Sequence, residues 1–304
     1  MQPFKIRILG CGSALPTLKH FASSQIVEIR DKTFMVDCGE GTQIQVRRAR
    51  IHFNKIISIF ITHLHGDHCF GLIGLISTLG MLGRTAPLHI YAPHELGKIF
   101  QRQLDFFCNE LDYEIHFHGV NTTANDVVYE DKGIIVKSIP LNHRTACCGY
   151  MFIEKPTLPH IRRDMIDFYN IPECYRNNIK NGADWITNDG TVIPNSRLTT
   201  PADTPRSYAY CSDTKFMPDL YKSLANVDLL YHEATYASSD ENRASLYYHS
   251  TAKQAASVAH KANAKKLIIG HFSARYENED ILLNEARSIF PNTFLANEMD
   301  IFDV

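Results

Sequence analysis

The sequence predicts an α/β fold in which short buried strands alternate with helices. Short apolar runs rich in β-branched residues recur along the chain, and glycine, aspartate or histidine follows most of them. Segments with helical spacing separate several of these runs. The 304 residues are 44% hydrophobic and 21% charged, an ordinary globular composition with ample material for a core.

The elements follow one another in a regular order. We expect strands at 5–9, 24–29, 33–37, 56–61, 88–91, 113–118, 133–141, 149–154, 208–211, 227–231 and 266–269, and helices at 42–50, 72–82 and 94–107. One more helix follows His249, because Thr251 and Gln254 have the spacing of a capping box ahead of an alanine-rich run. The glycines after the first and third strands predict tight turns or close backbone approach.

The pattern changes over about 155–206. Prolines recur there, hydrophobic periodicity weakens, and the segment shows no clear core of its own. An insertion of this length is typically functional or disordered rather than part of the packing. We therefore predict a single domain over 1–304 with an inserted arm at about 155–206.

Charge, hydropathy and cysteine usage limit the function classes. The formal net charge of −2 is not the footprint of a generally basic nucleic-acid-binding domain, so a polyanionic substrate would need local basic patches. No apolar run approaches the roughly 20 residues of a membrane span. The eight scattered cysteines form no C-x-x-C pair and the N-terminus shows no signal peptide, so a cytoplasmic protein with reduced thiols is expected.

The strongest motif is THLHGDH at 62–68, directly after the strand at 56–61. His63 and His65 point the same way in an extended turn because side chains alternate. Gly66 then lets the chain bend, so that Asp67 and His68 face a second centre. Imidazole and carboxylate ligands at this density suit Zn²⁺ or a similar divalent ion.

Three further metal-competent residues follow predicted strands: His143, Asp213 and His271. A lone histidine of this kind is more often structural, but three at equivalent strand ends favour a shared site. One centre would take His63, His65 and His143, and the other Asp67, His68 and His271, with Asp213 bridging. Two such ions can hold a phosphoryl group and activate a water molecule.

This arrangement resembles the metallo-β-lactamase superfamily, which implies a four-layer αββα sandwich with the metals at one edge of two sheets. Narrower motifs resemble the RNase Z branch, the tRNA 3′-processing endoribonucleases. They are LGCGSALPT at 9–17, DCGEGTQ at 37–43, SDT at 212–214, HEAT at 232–235, HST at 249–251 and GHFSARY at 270–276. Together they span nearly the whole chain in the family's order.

The resemblance implies a hydrolase with two Zn²⁺ per subunit, Mn²⁺ or another divalent ion being an alternative. Asp67 would ligate metal and act as the base that orients the attacking water. Glu233 and His249 would form the pair that protonates the leaving oxygen. The products from precursor tRNA would be a tRNA with a 3′-hydroxyl and a trailer with a 5′-phosphate.

The resemblance also implies a protruding flexible arm over 155–206 that grips tRNA, and a homodimer in which the arm acts across subunits. Candidate phosphate contacts in this arm are Arg162, Arg163, Arg176 and Lys180. Two alternatives stay open: another phosphodiesterase of this fold that acts on a small phosphodiester, and a metal-free RNA-binding relative without catalysis.

Overall fold

A computed structural model describes residues 2–304 of the chain. The strands are β1 (Phe4–Gly10), β2 (Ser24–Ile29), β3 (Lys32–Cys38), β4 (Ile56–Phe60), β5 (Leu88–Pro93), β6 (Ile115–Val120), β7 (Val127–Glu130), β8 (Ile134–Pro140), β9 (Cys148–Glu154), β10 (His160–Ile161), β11 (Trp185–Ile186), β12 (Val192–Ile193), β13 (Thr199–Thr200), β14 (Ser207–Cys211), β15 (Leu229–Glu233), β16 (Lys266–Gly270), β17 (Thr293–Leu295) and β18 (Ile301–Asp303). The helices are α1 (Thr42–Arg48), α2 (Gly66–Cys69), α3 (Leu72–Met81), α4 (Glu95–Phe107), α5 (Arg163–Phe168), α6 (Arg176–Lys180), α7 (Asn195–Leu198), α8 (Glu241–Tyr247), α9 (Ala252–Lys261) and α10 (Asp280–Arg287).

Two seven-stranded sheets form the centre of the larger of two compact units, which comprises 2–130, 135–153 and 206–304. The first sheet has the order β18-β1-β2-β3-β4-β5-β6, and the second has the order β17-β16-β15-β14-β9-β8-β7. Both sheets mix directions: β3 to β6 run parallel in the first, and β14 to β17 run parallel in the second. The parallel strands of each sheet therefore end at a common edge.

The sheets pack face to face through aromatic side chains and are covered outside by helices. Phe34 and Phe60 of the first sheet lie 5.7 Å and 5.3 Å, centroid to centroid, from Phe152 of the second. Their neighbours Met35 and Ile59 point the other way, into a core shared with α1, α3 and α4. Helices α9 and α10 lie against the second sheet. The predicted four-layer αββα sandwich is confirmed.

The predicted strands and the capping box are confirmed, with shifts at a few boundaries. Thr251 accepts from the Gln254 amide and the Gln254 side chain accepts from the Thr251 amide, which starts α9. The helix predicted over 42–50 ends at Arg48, because Arg50 adopts a left-handed conformation with a φ of 55°. Tyr113, predicted to begin a strand, is a buried loop residue whose hydroxyl donates to the Ile76 carbonyl.

Among residues 2–304, the second compact unit comprises 131–134 and 154–205, and it corrects one expectation. The segment was expected to lack a core, yet five buried residues form one: Ile166, Ile171, Ile179, Ile193 and Leu198. Two short antiparallel strand pairs, β10–β13 and β11–β12, and three short helices surround it. The sequence did not predict this core because its residues are widely spaced and show no helical or strand period.

Within residues 2–304, none of the helices has the length and apolar character needed to cross a membrane.

Candidate metal centre

The predicted metal ligands all lie on segments that follow the carboxyl ends of strands. His63 and His65 follow β4, and Asp67 and His68 lie in the short helix α2. His143 follows β8, Asp213 follows β14, and His271 follows β16 directly with a φ of 61°. These segments come from both sheets, so the edge where the sheets meet collects every predicted ligand.

The first group of ligand atoms contains three imidazoles and one carboxylate: His63, His65, His143 and Asp213. The Nδ1 atom of His65 lies 3.1 Å from His63 Nε2 and 3.2 Å from His143 Nε2. Asp213 Oδ2 lies 3.7 Å from His63 Nε2 and 3.8 Å from His143 Nε2. This is the first of the two groupings that the sequence predicts.

The second group contains Asp67, His68, Asp213 and His271. His68 Nε2 lies 3.3 Å from Asp67 Oδ2 and 3.4 Å from Asp213 Oδ1. His271 Nε2 lies 3.4 Å and 3.2 Å from the same two oxygens. Asp213 therefore presents Oδ1 to this group and Oδ2 to the other, as a bridging carboxylate must.

Each histidine but His65 is held by a partner on its other ring nitrogen. Nδ1 of His63 lies 3.0 Å from Thr62 Oγ1, and Nδ1 of His143 lies 3.0 Å from the Tyr248 carbonyl. Nδ1 of His271 lies 2.8 Å from Thr235 Oγ1. An imidazole that donates through Nδ1 presents the unprotonated Nε2 as a metal ligand, so these contacts select the ligating tautomer.

The donor set fits divalent cations. His68 Nε2 is fully buried and makes no hydrogen bond to any residue from 2 to 304, although it faces two carboxylates. Burial lowers the pKa of His63, His65 and His143, so these rings stay neutral and ready to ligate. Burial opposes ionisation of Asp67 and Asp213, but the surrounding histidines outweigh it and hold both pKa values below the usual range. Burial works against protonation of His68, but Asp67, Asp213 and Asp37 raise its pKa above the usual range, so a bound cation would displace this proton. Three neutral imidazoles beside ionised carboxylates are a donor set that suits Zn²⁺.

Glu233 and His249 form a pair beside this centre. Glu233 ends β15 and is fully buried, and its Oε1 lies 3.0 Å from His249 Nδ1. The backbone amides of Thr214 and Ser250 donate to the same oxygen, and that of Thr235 donates to Oε2. Burial works against protonation of His249, yet the Glu233 carboxylate raises its pKa to about 9. The pair can therefore present a proton at neutral pH.

A cavity of about 300 Å³ opens onto both features. Its lining includes Ser13, Ala14, Leu15, His65, Asp67, His143, Arg144, Asp213, Thr235, Tyr236, Tyr247, His249, His271 and Ser273. Arg144 stacks on Tyr247, with its guanidinium 5.1 Å from the ring centroid. A cationic group and aromatic side chains that line the same cavity as metal-competent residues suit a phosphodiester with flanking bases.

Known proteins match the chain over its full length. A curated relative from Bacteroides fragilis named ribonuclease Z is 57% identical over 298 residues, which are 98% of each chain. A ribonuclease Z from Porphyromonas gingivalis is 50% identical, also over 98% of each chain. The chain belongs to the ribonuclease Z family. Its resemblance to that branch, inferred above from motifs, is confirmed.

A solved structure agrees with this ribonuclease Z assignment. The human short form of tRNase Z matches with a TM-score of 0.72 and 25% identity, covering 98% of each chain. A metallo-β-lactamase fold protein from Bacillus subtilis matches with a TM-score of 0.71 at 16% identity over all of both chains, which shows the shared fold.

Residues 4–158 also match the family model described as Anti-Pycsar protein Apyc1, and the chain belongs to that family as well. This half contains the motif at 62–68 and His143. It ends before the other predicted site residues, Asp213, Glu233, His249 and His271, which the full-length ribonuclease Z relatives cover.

Two residues with a clear position in this ribonuclease Z site were not assigned a role from sequence. Asp37 is fully buried, and its Oδ2 lies 2.7 Å from His68 Nδ1, while Thr62 donates to Oδ1 through its amide at 2.9 Å. Thr235 links the Glu233–His249 pair to the second ligand group. Its Oγ1 lies 2.8 Å from Glu233 Oε2 and 2.8 Å from His271 Nδ1. The available signal for Asp37 was a carboxylate at the end of an apolar strand, the same signal that identified Asp213.

The glycine after Asp37 has a packing role. A Cβ added at Gly39 would overlap the backbone oxygen of Asp67. Only glycine therefore lets the turn after β3 approach the loop at 62–68 this closely. The motif at 37–43 therefore supports the loop at 62–68 through both a side chain and a backbone contact.

Proposed function

We propose that this ribonuclease Z family member is a tRNA 3′-endonuclease that removes the 3′ trailer of precursor tRNA by hydrolysis. The observation that carries the proposal is the near-complete match to relatives named ribonuclease Z, at 57% identity over 98% of both chains. A hydrolase for phosphodiesters also fits the chemistry of the His/Asp cluster and the adjacent proton donor.

The two ligand groups would each hold one divalent cation. One would be held by His63, His65 and His143 and the other by Asp67, His68 and His271, with Asp213 shared. Two Zn²⁺ per subunit suit these ligands, and Mn²⁺ or another divalent ion is an alternative. When bound, such ions stabilise the charge that develops on the phosphoryl oxygens and make a nearby water acidic.

Asp67 would orient the attacking water and accept its proton. Its side chain lines the cavity, and its Oδ2 is fixed by His68 and His271 at 3.3 Å and 3.4 Å. The carboxyl is ionised at working pH because the histidines outweigh its burial. The water oxygen then forms the new bond to phosphorus.

His249 would protonate the leaving 3′-oxygen as its bond to phosphorus breaks. Its Nδ1 is held by Glu233 Oε1 at 3.0 Å, so Nε2 carries the transferable proton. Glu233 would act through His249, by fixing the ring and stabilising its charged form. The products would be a tRNA with a 3′-hydroxyl and a trailer with a 5′-phosphate.

The small unit at 154–205 would be the arm that grips tRNA. Arg163, Arg176, Lys180 and His160 line a cavity of about 650 Å³ within it, together with two acidic residues. Cations grouped around one concavity suit phosphate oxygens. We propose that the arm serves the active site of a partner in a homodimer, and that the enzyme works in the cytoplasm, where precursor tRNA is made.

The strand register offers a clean test of substrate class. Ile153 of β9 and Ser207 of β14 are paired in the second sheet, so a short turn can replace 155–206 without breaking that pairing. The intact enzyme should prefer precursor tRNA by kcat/KM over a small diester such as bis(p-nitrophenyl) phosphate. The shortened enzyme should lose most activity on precursor tRNA through a raised KM and keep activity on the small diester.

Equal losses on both substrates would contradict the arm's role. An intact enzyme that hydrolyses the small diester but not precursor tRNA would instead support the alternative, a phosphodiesterase for small substrates.

A further inference from the structure

A second cluster of metal-ligating side chains lies outside the candidate catalytic centre. Cys11 follows β1, His20 lies in the loop at 12–23, and Glu298 lies between β17 and β18. Cys11 is fully buried, His20 is 8% exposed, and the Glu298 side chain is 15% exposed. The larger unit contains all three.

The distances between their ligand atoms are close to those between three ligands of a tetrahedral centre. The two oxygens of Glu298 face different partners, and Oε1 also accepts from the Phe21 amide. Cys11 Sγ lies 3.2 Å from His20 Nδ1 and 3.7 Å from Glu298 Oε1, and His20 Nδ1 lies 3.0 Å from Glu298 Oε2. With Zn–S bonds of about 2.3 Å and Zn–N or Zn–O bonds of about 2.0 Å, tetrahedral ligand atoms lie about 3.3 to 3.6 Å apart. Shifts of a few tenths of an ångström would close the centre.

The other nitrogen of His20 has its own partner. His20 Nε2 lies 3.2 Å from Glu279 Oε1, and Lys19 forms an ion pair with the same carboxylate. Because Nδ1 also lies 3.0 Å from Glu298 Oε2, both ring nitrogens face carboxylates, and a cation bound at Nδ1 would take the place of the proton there while Nε2 keeps donating to Glu279. A carboxylate behind a ligating histidine is the usual support of a zinc ligand.

We propose that Cys11, His20 and Glu298 bind a thiophilic divalent cation, with Zn²⁺ as the best match, at a site separate from the catalytic centre. The thiol now donates to the Ala296 carbonyl. Cation binding replaces the S–H bond of Cys11 with a sulfur–metal bond and the Nδ1–H bond of His20 with a nitrogen–metal bond. Both protons pass to solvent, so no redox partner is needed.

The site would organise a loop that serves catalysis. A cavity of about 600 Å³ reaches His20 along Ser13, Ala14, Pro16 and Thr17, which gives an ion a path to the cluster. Ser13, Ala14 and Leu15 also line the catalytic cavity. A cation that ties Cys11, His20 and Glu298 together would therefore hold this loop at both ends.

Cobalt spectroscopy separates this site from the catalytic one. The candidate catalytic ligands supply only nitrogen and oxygen, so a thiolate-to-Co²⁺ charge-transfer band in the near ultraviolet reports the new site alone. The full-length enzyme is produced with Co²⁺ in place of zinc, and its cations per chain are counted. We expect the band, its loss in C11S, and one fewer cation per chain in C11S than in wild type.

Two variants complete the test. H20Q keeps the thiol and should weaken or abolish the band, which covers the case that C11S fails to fold. C174S removes an exposed thiol in the other unit and should leave the band unchanged. A folded wild-type enzyme without the band, equal cation counts in wild type and C11S, or loss of the band in C174S overturns the proposal.

Discussion

Glu233 Oε1 lies 3.0 Å from His249 Nδ1, and this buried carboxylate is further held by the amides of Thr214, Thr235 and Ser250. The imidazole lines the catalytic cavity, and 15% of its side chain is exposed. The pair thus combines a fixed negative charge with a ring that can reach substrate.

Replacing His249 with alanine removes the proposed proton donor. We expect kcat on precursor tRNA to fall by about 10² to 10⁴, the usual contribution of a general acid, while metal content stays at the wild-type level. Single-turnover cleavage and elemental analysis measure the two quantities. The control is His260→Ala, which changes an exposed histidine near the end of α9. Undiminished cleavage by His249→Ala would refute the assignment.

The pH profile tests the coupling between Glu233 and His249. The carboxylate raises the pKa of His249 to about 9, so the donor is protonated below that pH and loses its proton as pH rises through it. Glu233→Gln removes the charge, so the pKa falls toward 6.5 or lower and the alkaline limb of kcat moves to lower pH. A limb that stays in place in Glu233→Gln is incompatible with the proposed pair.

The same pair should affect stability with a definite sign. The folded pKa of His249 lies above the unfolded value of 6.5, so its stabilisation is fully present below pH 6.5 and is lost as pH rises through about 9. Unfolding of wild type and Glu233→Gln at several pH values measures this. The difference between the two should shrink on the alkaline side, and a difference that grows there argues against it.

Asp37→Asn tests the support behind His68. Asp37 accepts from Thr62 and Tyr210 and lies 2.7 Å from His68 Nδ1, and an amide would turn a donor toward one of these donors. We expect metal affinity to fall about 10- to 100-fold, measured by competition with a chelator. Asp31→Asn changes an exposed residue in the β2–β3 turn and serves as control. Unchanged affinity in Asp37→Asn would remove Asp37 from the site.

The arm cations should contribute to tRNA affinity rather than to chemistry. Replacing Arg163, Arg176 and Lys180 with glutamine should raise KM for precursor tRNA several-fold and flatten its salt dependence, with kcat little changed. The matched control is Arg197→Gln, an exposed arginine of the same unit outside that cavity. If kcat falls instead while KM and salt dependence hold, the arm has a different role.

Sequence reasoning located the candidate site because its residues follow strands. His143, Asp213 and His271 each follow a short apolar run, and the carboxyl ends of strands in two packed sheets must meet at one edge. The local motif at 62–68 then supplied the remaining ligands within one turn. The two ligand groups could be predicted from two rules: side chains alternate in direction along an extended chain, and ligands follow the ends of strands.

Contacts between residues that are far apart in the sequence could not be predicted from local motifs or strand ends. Asp37 supports His68 from 31 positions away, and Thr235 contacts His271 from 36 positions away. The core that contains Ile166 and Ile179 was not predicted, because widely spaced apolar residues in short helices and strands show no hydrophobic periodicity. Such features depend on tertiary packing, which local pattern does not encode.

Mapping both ends of the cut on a precursor tRNA transcript, with and without chelator, tests the central claim most directly. The account predicts one cut just past the acceptor end, a 3′-hydroxyl on the tRNA and a 5′-phosphate on the trailer, with activity lost to chelator and restored by Zn²⁺ or Mn²⁺. A 2′,3′-cyclic phosphate on the tRNA product, or cleavage that persists after complete metal removal, would contradict it.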